Sequence, residues 1–189
     1  MLKTINFAFL LFLLIIACQK EEKSQDPFLI SNNRIGHLTH KTTLKQLDSI
    51  YSNDSIVRNI AGDKLLNTNN EIAIFEKGGK KLLILEVRQK SDINSTIKNI
   101  QLIDSRYHTD TGLSPNGTFK NIKDHYTITK ITNTLSSAVL FVDSIQASLT
   151  IDKKELAADL KFNTDTKIEA SQIPDSAKIK HFLISWDEN

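Results

Sequence analysis

Thr43-Leu44-Lys45-Gln46-Leu47-Asp48-Ser49-Ile50-Tyr51 and Thr118-Phe119-Lys120-Asn121-Ile122-Lys123-Asp124-His125-Tyr126 share one pattern: Thr, an apolar residue, Lys, any residue, an apolar residue, three of any kind, Tyr. Thr43 is placed to cap a helix, with Gln46 three residues on as in a capping box. Leu44, Leu47 and Tyr51 then fall at i, i+3 and i+7, on one face. In the second stretch Thr118 caps, and Phe119, Ile122 and Tyr126 take the same places. Gly36 precedes the first stretch, and Gly112 and Gly117 precede the second. Helices of about two to three turns are marginal alone, so each must gain stability by packing on something else.

That partner is expected to be a sheet. Glu71 to Glu76 and Leu82 to Val87 flank Lys77-Gly78-Gly79-Lys80-Lys81, a hairpin signal. Ile100 to Ile103 reads as a third strand. Ala138 to Val142, Ala147 to Ile151 and Lys178 to Trp186 are the counterparts downstream. Phe182, Ile184 and Trp186 alternate onto one face. Ile56 to Ile60 and Thr127 to Thr132 read as an extra strand after each helix. Asp152 to Phe162 reads as an inserted helix, with Asp152 and Glu155 as a capping box and Leu156 and Leu160 one turn apart. Ile97 to Leu102 and Ile179 to Ile184 also match, 82 residues apart, against 75 for the helical stretches.

The expected fold class is therefore α+β, a tandem repeat of a short helix packed on an antiparallel sheet. Residues 28–110 would form the first unit and 111–189 the second. The alternative is one continuous α+β domain without duplication. In element order and repeat size the chain resembles tandem helix-on-sheet modules of the β-lactamase inhibitor protein and small outer-membrane assembly lipoprotein type. That resemblance implies a binding surface rather than a catalytic centre, and it carries no individual residue across.

The N-terminus reads MLKTINFAFLLFLLIIACQKEEKSQD. Lys3 opens it, and from Ile5 to Ala17 only Asn6 is polar. About a dozen apolar residues cannot span a hydrocarbon core of roughly 30 Å, but they suit a signal peptide. Ile15-Ile16-Ala17-Cys18 resembles a lipobox. The resemblance implies removal of residues 1–17, a diacylglyceryl thioether on Cys18 and an acylated new N-terminus. The partner so implied is membrane lipid, held through acylated Cys18. Gln19-Lys20-Glu21-Glu22-Lys23 resembles the export signal of Bacteroidota surface lipoproteins, with Lys20, Glu21 and Glu22 in the signal positions. Residues 18–27 read as the lipidated Cys and a flexible tether ending at Pro27.

The chain has 189 residues, 24 basic against 22 acidic, and a formal net charge of +2. This balance offers no electrostatic footprint for nucleic acid. One Cys excludes an internal disulfide framework and any multi-Cys metal site. His37 and His40 have no acidic residue or Cys within a few positions to complete a metal site, and no metal or cofactor is expected. His108 and Asp110 could pair as a base and its orienter, but no Gly-x-Ser-x-Gly nucleophile motif accompanies them. The reading is non-enzymatic, with a small hydrolase as the remote alternative.

The most distinctive loop runs from Arg106 to Gly117. Arg106, Tyr107, His108 and Asp110 are its candidate binding residues, against an inter-repeat linker. Asp-Ser pairs at Ser49, Ser55, Ser144 and Ser176 resemble O-glycosylation triplets of the same bacterial group. The expectation is an outer-membrane lipoprotein, displayed at the cell surface, with a protein, peptide or glycan ligand. A periplasm-facing assembly factor is the alternative.

Overall fold

The computed structural model describes residues 25–58, 71–89, 91–161 and 164–186. The signal peptide, Cys18 and the export residues Lys20, Glu21 and Glu22 lie outside them. Along the chain run β1 (Leu29–Ser31), β2 (Arg34–Ile35), β3 (Leu38–Thr39), α1 (Leu47–Ile50), β4 (Ser55–Arg58), β5 (Glu71–Phe75), β6 (Lys81–Val87), β7 (Ile97–Leu102) and β8 (His108–Thr109). Then follow α2 (Phe119–His125), β9 (Lys130–Asn133), β10 (Ser137–Val142), β11 (Ala147–Asp152), α3 (Ala158–Lys161) and β12 (Ile179–Ser185). The fold is mixed α+β: mostly strands, in two sheets, with a few short helices.

The large sheet has eight antiparallel strands in the order β4-β5-β6-β7-β12-β11-β10-β9. Four strands of this sheet, β4 to β7, follow α1 and the other four, β9 to β12, follow α2, and β7 meets β12 at the middle. Strands from residues 28–110 and from 111–189 share this one sheet. Leu102 pairs with Phe182, Gln101 with Leu183 and Ile100 with Ile184.

Alternation along each strand sends one set of side chains to the interior. Ile74, Leu83, Leu85, Ile100, Leu140, Leu149 and Phe182 are fully buried there. Leu47, Tyr51, Phe119 and Ile122 of the two helical segments belong to the same core, as does Trp186. Burying a side chain of this size contributes about 1.5–3 kcal/mol, which short helices need.

Capping fixes where the helices start. A 3-10 turn (Leu44–Gln46) leads into α1. Gln46 Oε1 accepts from the Thr43 backbone N–H at 2.9 Å, and Asn121 Oδ1 accepts from that of Thr118 at 2.9 Å. Each cap is also pinned to the sheet region. Thr43 bridges Thr96 and Thr118 bridges Lys178. The Leu44 N–H donates to Ser95 O at 2.9 Å, and the Phe119 N–H to Ala177 O at 2.8 Å. The β5–β6 hairpin turns through Gly78 and Gly79, at φ 111° and 92°, a backbone that side chains disfavour.

The expected strands occur, with shifted ends. The strand expected at Ile100 to Ile103 runs Ile97–Leu102, and the one expected at Thr127 to Thr132 runs Lys130–Asn133. Ile56 begins as expected within β4; residues 59 and 60 lie outside the described residues.

Asp152 to Phe162 is not the single capped helix expected. Asp152 Oδ1 accepts from the Lys154 N–H at 3.0 Å and starts a 3-10 turn (Lys153–Glu155). Leu156 is extended, at φ −88° and ψ 167°, and separates that turn from α3. Glu155 instead reaches the Lys178 N–H, 3.4 Å away. Phe162 lies outside the described residues.

The second sheet, β3-β2-β1-β8, was not anticipated. It joins the segment after the tether to the distinctive loop: β1 pairs antiparallel with β2 and parallel with β8. Ile30, Ile35, Leu38, Tyr107 and Leu113 carry it into the common core. No helix among the described residues is long and apolar enough to cross a membrane.

Candidate binding face

The loop of Arg106 to Gly117 is ordered by contacts with the rest of the fold. The Arg106 guanidinium grips Glu76 with two hydrogen bonds of 2.9 Å and donates to Asp104 at 2.6 and 3.1 Å. It also stacks over Phe28, 4.3 Å from the ring centre. Lys80 reaches the fully buried Asp104 carboxylate at 3.0 Å. Burial pushes the Asp104 carboxyl up, but bonds from the Arg106 side chain, its backbone N–H and Lys80 outweigh this and bring it to about 2. The same Arg106 contact holds Glu76 below its ordinary value.

A depressed carboxyl stabilises the fold above its unfolded value of about 3.9, and that contribution fades as pH falls through about 2. Asp104→Asn should therefore cost about 2 kcal/mol at pH 7. Denaturant unfolding of both proteins should show the gap closing by about pH 2. A constant gap across that range would refute the assignment.

Tyr107 is buried edge-on against Phe28, with ring centres 5.2 Å apart, and burial raises its phenol. His108 donates from Nδ1 to Arg106 O at 2.8 Å, and its Nε2 lies 3.5 Å from the Asp26 carboxylate. Asp110 is exposed and accepts from the Thr111 N–H at 2.9 Å. Tyr126 joins the loop to α2 through bonds of 2.7 Å to Thr109 and Thr111. His108 and Asp110 thus serve different neighbours. His37 is exposed, and among the described residues the buried Nδ1 of His40 has no hydrogen-bond partner. Among the described residues no group of three or more His, Cys, Asp or Glu is placed to hold a metal. Ser49, Ser55, Ser144 and Ser176 are all exposed.

The outward face of the large sheet has a different character. Register places Val57, Ala73, Ile84, Gln101, Leu183, Ser148, Phe141 and Lys130 in one row across all eight strands. Most are half-buried, and Val57 is 44% exposed. A second row runs Glu71, Glu86, Asn99, Ser185. Hydrogen bonds tie the central strands over this face: Asn99 Nδ2 donates to Glu86 at 2.5 Å, and Gln101 Nε2 to His181 Nδ1 at 3.0 Å. Two rings carry a Lys, with Lys81 Nζ 5.3 Å from the Phe75 centre and Lys130 Nζ 5.6 Å from that of Phe141.

At one end of the face a cavity of about 340 Å³ opens, lined by Phe141, Asp143, Gln146, Ala147, Ser148 and Ser185. Sequence reading missed every one of these as site residues. A polar residue at an outward strand position looks like ordinary solvent patterning until register brings it beside others.

The class defined so far is an α+β protein with one large antiparallel sheet, buried on one side and half-open on the other. No protein-family model and no curated protein sequence matches the chain. Its fold is similar to that of the uncharacterized protein yfeY from Escherichia coli, with a TM-score of 0.50 and 14% identity, over 84% of this chain and 98% of that one. At that identity the likeness concerns the fold.

Proposed function

We propose that this chain is a non-enzymatic lipoprotein of the outer membrane that presents the half-open sheet face to a ligand, at the cell surface. The observation that carries the reading is the run Ile84, Gln101, Leu183, Ser148 and Phe141, where apolar, amide and hydroxyl groups are left half-exposed together, with Lys130 exposed at its end and Ala73 buried at the other. Mixed surfaces of this kind suit recognition more than a solvated exterior. Ile15-Ile16-Ala17-Cys18 and the charged residues after it support the anchor and its direction. Several acyl chains at about 0.8 kcal/mol per buried CH₂ hold a protein on a membrane with no need of a basic surface.

A tandem repeat underlies this face on the same proposal. Thr43 and Thr118, 75 residues apart, bridge Thr96 and Lys178, which are 82 apart. The Ile103 N–H donates to Leu82 O and that of Ser185 to Gln146 O, again with acceptor and donor in corresponding places. Gln101 and Leu183, 82 residues apart, face each other where the halves meet, as a two-fold relation requires.

Cys18→Ala should move the protein from the membrane fraction to the soluble fraction and abolish incorporation of labelled fatty acid. Unchanged fractionation would defeat the anchor. Protease added to intact cells should digest the wild-type protein. Resistance until the outer membrane is permeabilised would favour the periplasm-facing reading.

A further inference from the structure

The two halves of the open face differ in polarity where the cavity opens. The hydrogen bonds Ile103 N–H to Leu82 O and Ser185 N–H to Gln146 O make Ile103 the counterpart of Ser185 and Leu82 the counterpart of Gln146. Pairing of Gln101 with Ile84, and of Leu183 with Ser148, makes Ile84 the counterpart of Ser148. Where the first half has Leu82, Ile84 and Ile103, the second has Gln146, Ser148 and Ser185. Across the strand, Ala73 in the first half corresponds to Phe141 in the second. Three apolar side chains have become polar around one aromatic ring, and a cavity of about 340 Å³ stands there.

Gln146 adds an independent observation. It turns the β10–β11 connection at φ 51°, in the left-handed region. Gly or Asn would hold that backbone at lower cost, whereas the β5–β6 hairpin uses Gly78 and Gly79. The Gln side chain that comes with this cost lines the cavity. No hydrogen bond within the described residues engages the side chains of Gln146, Ser148 or Ser185, so their donors and acceptors remain available. Asp143 is held by Thr129 Oγ1, which donates to it at 2.9 Å, leaving its second oxygen as an acceptor.

We propose that this cavity is a subsite for one ring of a neutral glycan. A sugar ring has an apolar C–H face and a rim of hydroxyls that both donate and accept. Phe141 matches the first, and a carboxylate, an amide and two hydroxyls match the second. The volume lies in the range of small-ligand sites, about 300–1,000 Å³. The inference rests on the open face being a binding face and names the chemistry of its ligand.

The test uses the full lipidated chain in detergent and isothermal titration calorimetry. Maltohexaose, xylohexaose, mannohexaose and chitohexaose represent free polysaccharide. A neutral O-polysaccharide released from lipopolysaccharide represents the glycan of a membrane's outer leaflet. At least one probe should bind saturably, and Phe141→Ala should weaken it about tenfold or more. The paired change Ser148→Ile and Ser185→Ile, which installs the first half's residues, should abolish binding while unfolding temperature is kept. No saturable binding by any probe, or equal affinity in these variants, would overturn the subsite. Membrane fractionation of the same variants reports on the anchor separately. A protein captured through Ile84 rather than Phe141 would keep the binding face and discard the sugar.

Discussion

Gly36→Ala should destabilise the protein by about 2–4 kcal/mol and loosen the small sheet first. Gly36 sits at φ 54°, between β2 and β3. A Cβ there would lie 2.1 Å from the carbonyl oxygen of Pro27, which is backbone and cannot swing aside. The Gly36 N–H donates to Leu29 O at 2.9 Å, and Arg34 Nε donates to Gly36 O at 2.8 Å, so the turn is held from both sides. Relieving the contact must separate Pro27 from the turn or break the β1–β2 pairing. Hydrogen exchange should show residues 29–39 losing protection before β7 and β12 do, together with a lower unfolding midpoint. A wild-type midpoint in the variant would show that this approach of chain to chain is not a constraint.

Phe182→Ala should cost about 3–5 kcal/mol, whereas Leu183→Ala should cost under about 1 kcal/mol. The two residues are neighbours on β12 and face opposite sides of the sheet. Phe182 is fully buried, between Leu102 on β7 and Leu149 on β11. Removing its ring leaves a cavity at the centre of the sheet that few neighbours can collapse to fill. Leu183 is half-exposed on the open face. Chemical denaturation of both variants tests the assignment of faces directly. Equal costs would mean that something covers the outward side.

The fold was readable in the sequence wherever a pattern was long enough to have a period. β12 announced itself through Phe182, Ile184 and Trp186, and the two helix starts through Thr43 with Gln46 and through Thr118, whose partner Asn121 only the structure showed. The small sheet was not readable, because its strands are two or three residues long and no alternation can be counted in them. The inserted helix failed at Leu156: periodicity linked it to Leu160, but its backbone is extended and buries Leu156 from a turn. The Arg106 to Gly117 loop was conspicuous for its composition. Its Arg106 and Tyr107 are spent on Asp104, Glu76 and Phe28. The cavity residues were invisible for the opposite reason, since Ser148 and Ser185 meet only through register across the neighbouring strands β11 and β12.

The place of β12 has a bearing on how the molecule comes into being. Among the described residues it is the latest strand, yet it lies at the middle of the large sheet, between β7 and β11. Until it is synthesised, β7 and β11 each keep a bare edge, and two half-sheets wait without a common spine. Folding must therefore follow synthesis of β12, with contacts that join distant parts of the chain, the kind that close in milliseconds to seconds rather than microseconds. On the lipoprotein reading proposed above, a central strand encoded this late would leave the chain threadable through a membrane until most of it had crossed.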